Sequence, residues 1–300
     1  MNVSISAEGF VTIRAASISL GAIRPVLNGT GIAAAQVDVM DNTLDSADDP
    51  PDGDPRRALL YYSSPALHGG TFGLDMRWDA ASNRCGLRWW LDGFPAEIAL
   101  SSFGVCFEDL GGLRAVLRSG YHSWDGSQYI GREALSAAST PVVGYSLTQI
   151  LPESGPGSLI CGFDRHDRFQ QTFTYMPRAN GTSLTVLTHW DDKAREAGAR
   201  CESERLMVFE RPGVEEALRD WAHHVAAVTP IPPRHLPVRI TGWCSWYNLY
   251  ASITEENIRE HLHGAAAVRD AESLPLRVFQ IDDGFTPEMG DWLDVKPQFP

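Results

Sequence analysis

The chain has 300 residues, 43% hydrophobic and 21% charged, with a formal net charge of −13. That composition excludes a disordered chain. The acidic balance, with only Lys193 and Lys296 among the lysines and no cluster of arginines, argues against a nucleic-acid surface or adhesion to an anionic membrane.

The amino terminus, MNVSISAEGF, has neither a basic segment nor an apolar core, so it does not read as a secretory signal. No apolar run approaches the roughly 20 residues needed to span a bilayer. The five cysteines (Cys85, Cys106, Cys161, Cys201, Cys244) are widely spaced with no CxxC pair, which predicts free thiols in a soluble, cytoplasmic protein and no zinc site.

From the start to about Glu210 the dominant period is two. Short alternating runs occur at 10–20, 33–40, 58–65, 71–79, 96–107, 113–119, 141–151, 158–164, 172–175, 183–188 and 204–210, separated by Gly, Pro, Asn and Asp. Many short strands with turn signals between them predict a large antiparallel β-sandwich over residues 1–212. Asn180-Gly181 between two such runs is the clearest hairpin signal. The stretch Asp38–Asp54 carries seven aspartates but lacks the spacing of a calcium loop, and reads as a solvated surface loop.

At Pro212 the period changes. Val214, Leu218, Trp221 and Val225 share one helical face, and Pro230, Pro232, Pro233 and Pro237 follow. Residues 213–235 are therefore expected to form a linker helix and a Pro-rich linker. His223 and His224 on that helix face different ways and are expected to be exposed, with no shared metal.

Over 236–300 the pattern is strand, helix, strand. Val238–Tyr247 is rich in β-branched and aromatic residues, Ser252 or Thr254 offers a helix cap before Glu255 and Glu256, and Arg277–Ile281 is the second strand. His261 and His263 are expected at that helix's carboxyl end. Such a βαβ unit implies parallel strands, whose carboxyl ends carry the functional sites of α/β folds. A complete (β/α)8 barrel takes about 250 residues, so this region is expected to be only the start of one.

The chemically loaded segment is Gly242–Asp291. Trp243 and Trp246 lie at the end of the first strand, and Asp282 and Asp283 close the second. An aromatic face beside carboxylate acceptors suits a sugar, although Asp-Asp-Gly is also a common turn. Cys244 reads as a small buried side chain, and no GxSxG, HExxH, P-loop or GxGxxG sequence is present.

In order, Gly242-Trp243-Cys244-Ser245-Trp246-Tyr247, Ile253-Thr254-Glu255-Glu256, Gln280-Ile281-Asp282-Asp283-Gly284, Gly290-Asp291-Trp292 and Gln298-Phe299-Pro300 resemble the start of the barrel in glycoside hydrolase family 36, the α-galactosidases and raffinose-synthase-like enzymes. Gly120-Tyr121-His122-Ser123-Trp124-Asp125 is similar to the G-[YW]-[QH]-S-W motif of that family's amino-terminal domain. The resemblance is strong over 236–300, weaker over 100–235 and faint before that. It implies a β-sandwich, a linker helix and a (β/α)8 TIM barrel, here truncated.

The resemblance further implies that Trp246 packs on a galactose ring and that Asp282 and Asp283 bind its O4 and O6 hydroxyls. Trp243 and Trp292 are expected to line the same pocket. The family's nucleophile and acid/base sit on later barrel strands, so no catalytic residue is assigned here; both are expected beyond Pro300, and the 300-residue chain alone is expected to be inactive. The implied reaction is retaining hydrolysis of terminal α-galactosides of small oligosaccharides, with no metal or organic cofactor and with homo-oligomers common in the family. Transglycosylation of the raffinose-synthase kind and α-N-acetylgalactosaminide hydrolysis remain open within the same fold. A non-catalytic carbohydrate-binding sandwich is the alternative of another class. Tyr121–Asp125 reads either as a loop reaching toward a site or as packing around Trp124.

Overall fold

The computed structural model describes the chain apart from residues 7, 16, 34–35, 43–55, 80–81, 123, 180, 232–233, 235 and 300. Most of the aspartate-rich stretch, Asn180 of the hairpin signal, Ser123 of the aromatic motif and two linker prolines therefore lie outside the described residues. The chain divides into two compact units, residues 1–232 and 233–300.

The first unit is built from two large antiparallel sheets. In spatial order the first holds Asn2–Ile5, Val11–Arg14, Ser19–Leu27, Ser102–Gly111, Gly181–His189, Gln171–Arg178 and Val142–Tyr145. The second runs Gln128–Gly131, Leu113–Arg118, Leu147–Pro152, Ser158–Phe163, Leu206–Arg211, Arg84–Asp92, Thr71–Asp79, Arg56–Ser63 and Gln36–Asn42. Phe72, Trp89, Phe103, Phe107, Phe163 and Phe173 are fully buried between them. Trp89 meets Phe163 edge-on at 5.7 Å, and Phe163 meets Phe173 at 5.8 Å, so an aromatic chain links the second sheet to the first. The Tyr175 hydroxyl, buried among these rings, is satisfied by Thr148 Oγ1 at 2.7 Å.

Several expected runs divide for physical reasons. The 10–20 run breaks where Ala15 N–H donates to Ile18 O (2.9 Å), and a new strand runs on to Leu27. The 96–107 run becomes strand only at Ser102. The 141–151 run breaks at Ser146, whose φ of 65° turns the chain from the first sheet into the second. Arg84–Asp92, absent from the expected runs, is also a strand: Cys85, Leu87, Trp89 and Leu91 are fully buried on one face, while the other face mixes buried Gly86 and Trp90 with exposed Arg88, which blurs the alternation.

The helix Val214–Val228 packs Ala217, Leu218 and Trp221 on Ile160, Met207 and Phe209 of the second sheet, while Val214 stays largely exposed. Gly162 permits this approach, since a Cβ there would strike the Trp221 indole nitrogen. His224, expected to be exposed, is instead tucked beside Asp164, with Nε2 3.9 Å from Oδ2. Burial raises the Asp164 carboxyl, but His224 and Arg205 outweigh it and hold the group below its ordinary value. Four cysteines of this unit are buried free thiols, and burial pushes Cys85 up to about 12.

The second unit is a strand, Thr241–Cys244, paired in parallel with Leu276–Gln280 through the helix Glu255–Ala271. Thr254 caps that helix in a reciprocal box with Asn257. The first strand is shorter than expected: Ser245 O accepts from Leu249 N–H (3.0 Å), so Trp246–Leu249 already forms a helical turn. His261 and His263 lie mid-helix rather than at its end. Among the described residues this unit holds one two-stranded parallel sheet with its crossover helix, and the expected barrel is not shown. Among the described residues no helix is long and apolar enough to cross a membrane.

Candidate functional site

The two parallel strands end side by side, and the residues that follow them are tied into one hydrogen-bonded lattice. Ser245 N–H donates to Gln280 O (3.1 Å), and in return Asp282 N–H donates to Ser245 Oγ (2.9 Å). Ser245 is fully buried, so its hydroxyl fixes the height at which the second strand's turn leaves the sheet.

The Asp282 carboxylate is spent on this lattice. Oδ1 accepts the Asp283 backbone N–H (2.8 Å), while Oδ2 accepts the Cys244 thiol (3.1 Å) and the Gln280 amide (3.0 Å). The Asp283 N–H, then the thiol and the Gln280 amide, hold Asp282 below the usual carboxylate range. Cys244 responds in the opposite sense: a hydrogen bond from the Trp246 backbone lowers its thiol, but desolvation and the Asp282 charge outweigh it and push the thiol up. Cys244 is therefore a hydrogen-bond donor here and not a poised nucleophile.

Asp283 is different. Its Oδ1 accepts Gly284 N–H (2.7 Å), and among the described residues Oδ2 accepts no hydrogen bond. Gly284 adopts φ 101° and packs against the Tyr250–Ala251 backbone, where a Cβ would come within 2.8 Å of the Ala251 Cα. That close approach brings the loop after the first strand onto the Asp283 turn. Lys296 Nζ, donating to Ala251 O at 2.7 Å, ties the chain after Gly290 to the same loop.

The four other expected residues separate. Trp246 follows Ser245 directly and stands half-buried, edge-on to Tyr250 at 5.3 Å. Trp243 lies on the opposite face of the strand from Cys244, stacked on Phe279 at 4.3 Å and 11° and against His261 at 5.1 Å; its ring serves packing between strand and helix. Trp292 is exposed, and its ring lies 6.4 Å from Phe285. Asp282 is present but acts on its own neighbours. Cys244 is expected as a small buried side chain, and Ser245 and Gln280 appear in the sequence motifs without a role; the structure shows all three holding the aspartate turn. Among the described residues no group of His, Cys, Asp and Glu could hold a metal ion.

No family model matches the chain. Among solved structures, it is similar to a variant of the Geobacillus stearothermophilus α-galactosidase of glycoside hydrolase family 36 in complex with stachyose, at 10% identity and a TM-score of 0.48, covering 96% of this chain and 43% of that one. It is also similar to the Lactobacillus brevis α-galactosidase at 10% identity and TM-score 0.43, covering 96% and 40%. The Bifidobacterium bifidum α-N-acetylgalactosaminidase in its GalNAc complex matches at 12% identity and TM-score 0.48, covering 74% and 37%. The chain thus spans less than half the length of each of these proteins.

Proposed function

We propose that residues 233–300 form the sugar-recognition side of an α-galactoside-processing site on a (β/α)8 barrel of the family 36 type. The observation that carries this reading is the aspartate turn at the carboxyl end of a parallel strand, held rigid by Ser245, Cys244 and Gln280 with one Asp283 oxygen unspent. A fixed carboxylate oxygen is a strong acceptor for a sugar hydroxyl, and a neighbouring indole offers its face to the sugar C–H surface. In this reading Asp283 accepts a hydroxyl, Trp246 bounds the ring, and Asp282 positions the turn.

Asp282 and Asp283 are not the reacting pair. Retaining hydrolysis needs two carboxylates about 5–5.5 Å apart across the scissile bond, one attacking and one protonating the leaving group. Asp282 and Asp283 are consecutive, and each is bound to the N–H of the residue after it. The nucleophile and acid/base are proposed to come from strands outside residues 1–300. Hydrolysis is the main reading; transfer to a second sugar and action on an α-N-acetylgalactosaminide use the same half-site.

The test is direct. The purified chain is expected to release no nitrophenol from a nitrophenyl α-galactoside, while Asp283→Asn is expected to weaken binding of methyl α-D-galactoside at this site about tenfold, the scale of one charge-assisted hydrogen bond. Turnover by these 300 residues, or galactoside binding indifferent to Asp283→Asn, contradicts the proposal.

A further inference from the structure

The outer face of the second sheet gathers arginines that are scattered in the sequence. Arg57, Arg77 and Arg88 stand on three neighbouring strands, Arg56–Ser63, Thr71–Asp79 and Arg84–Asp92, and Arg205 directly precedes the next, Leu206–Arg211. Gly86 and Arg88 alternate with the buried Cys85, Leu87 and Trp89, so they point away from the core. Arg77, Arg88 and Arg205, with Asp75 and Gly86, line a pit of about 150 Å³ on this face.

Strand register makes the pit. Gly86 lies opposite Arg77 on one side and Met207 on the other, and its missing side chain leaves a gap in that cross-strand row. A Cβ there would come within 3.0 Å of Arg205 Cδ, so the glycine is what admits the Arg205 stem. In the same row Arg57 stands directly opposite Arg77, a like-charge pairing that weakens a sheet. Both turn to one carboxylate: Asp75 accepts Arg57 Nε at 2.9 Å and Arg77 Nε at 3.3 Å. Arg88 faces Asp75 in register but donates through Nη1 to Glu202 (3.0 Å), and Arg205 Nε donates to Asp164 (2.8 Å).

These pairs orient the guanidinium groups without using them up. Among the described residues Nη1 and Nη2 of Arg77, Nε and Nη2 of Arg88 and Nη1 of Arg205 have no acceptor. The three side chains are 58, 46 and 40% exposed, so those donors are within reach of a solute. The pit is thus lined by three guanidiniums and one carboxylate that is shared with a fourth, a local reversal of sign in a chain of net charge −13. Its volume is below the roughly 300 Å³ at which sites for organic ligands begin, which excludes a sugar ring or a base and leaves a small anionic group. Planar forks of N–H donors held in advance match the oxygens of a tetrahedral dianion. We propose that this pit binds a phosphate group, held by Arg77, Arg88 and Arg205 over Gly86.

Calorimetric titration of the 300-residue chain with inorganic phosphate, at low salt and about pH 8 where the ion is a dianion, is expected to show saturable binding at one site. Methyl phosphate titrated in parallel separates the sources: tighter binding of the ion assigns the pit to free phosphate, tighter binding of the ester to a phosphate monoester, and either supports it. Arg77→Gln and Arg88→Gln are each expected to weaken binding about tenfold, and Arg88→Lys, which keeps the charge and loses the fork, about threefold or more. Arg132→Gln removes the same charge from the exposed Arg132–Glu153 pair outside the pit and is expected to change affinity by less than about twofold. Unchanged thermal melting verifies the fold of each variant. Absence of saturable binding by both phosphates, affinity indifferent to Arg77→Gln and Arg88→Gln, or an equal loss in Arg132→Gln overturns the proposal.

Discussion

The two units obey the same rules of strand and helix formation and end in opposite states. In residues 1–232 alternating strands meet a second layer, and Val11, Leu60, Phe72, Trp89, Phe107 and Phe173 lose all exposure. In residues 233–300 only Ile253 and Ile258 among the described apolar side chains are buried, while Val278, Leu262, Val268 and Ile281 are 45–50% exposed. Parallel strands require cover on both faces, which one crossover helix does not supply. The aspartate turn is nevertheless well formed, because hydrogen bonds among neighbouring strand ends, not layers, hold it. A strand-end turn can be locally well ordered in a unit with few buried apolar side chains.

That contrast can be broken most severely at Trp89. Trp89→Ala is expected to cost about 3–5 kcal/mol in denaturant unfolding of the sandwich. Val278→Ala, on the exposed parallel strand, is expected to change stability by less than about 0.5 kcal/mol. Equal effects would mean that both units share one core. Next in size, Gly162→Val drives a side chain into Trp221 and is expected to cost about 1–3 kcal/mol, visible as faster amide exchange along Val214–Val228.

Acid sharpens the comparison further. Asp164 has a folded pKa below its unfolded value, so its contribution to the sandwich is fully present above the ordinary carboxylate pKa of about 3.9 and is lost as pH falls through the folded value. Asp164→Asn is expected to remove that part of the acid dependence, measured as melting temperature between pH 5 and 2. The smallest effect belongs to the second unit: Thr254→Ala removes the cap of Glu255–Ala271 at about 1 kcal/mol, detected in local helix exchange and not in the sandwich melt.

Strands were readable in the sequence where one face met solvent, as in Arg56–Ser63, whose buried positions alternate. Arg84–Asp92 was less so, because buried Gly86 and Trp90 share its second face with exposed Arg88, so that face does not read as uniformly polar. Ser146 gave no warning of a sheet crossing, since serine carries no signature of positive φ. At the site, Trp246, Asp282 and Asp283 stood out through residue type and motif. The bond from Cys244 to Asp282 joins residues 38 apart and leaves no periodic trace. Trp243 was separable in principle: the period of two that puts Cys244 on the aspartate side puts Trp243 on the helix side.

The most direct measurement is native-state hydrogen exchange by mass spectrometry on the intact 300-residue chain. Amides of Thr241–Cys244 and Leu276–Gln280 are expected to exchange about a hundredfold or more faster than those of Arg84–Asp92 and Ser158–Phe163, although all are strand residues. Comparable protection in the two sets would contradict the account, because it would require the parallel pair to have a closed core of its own.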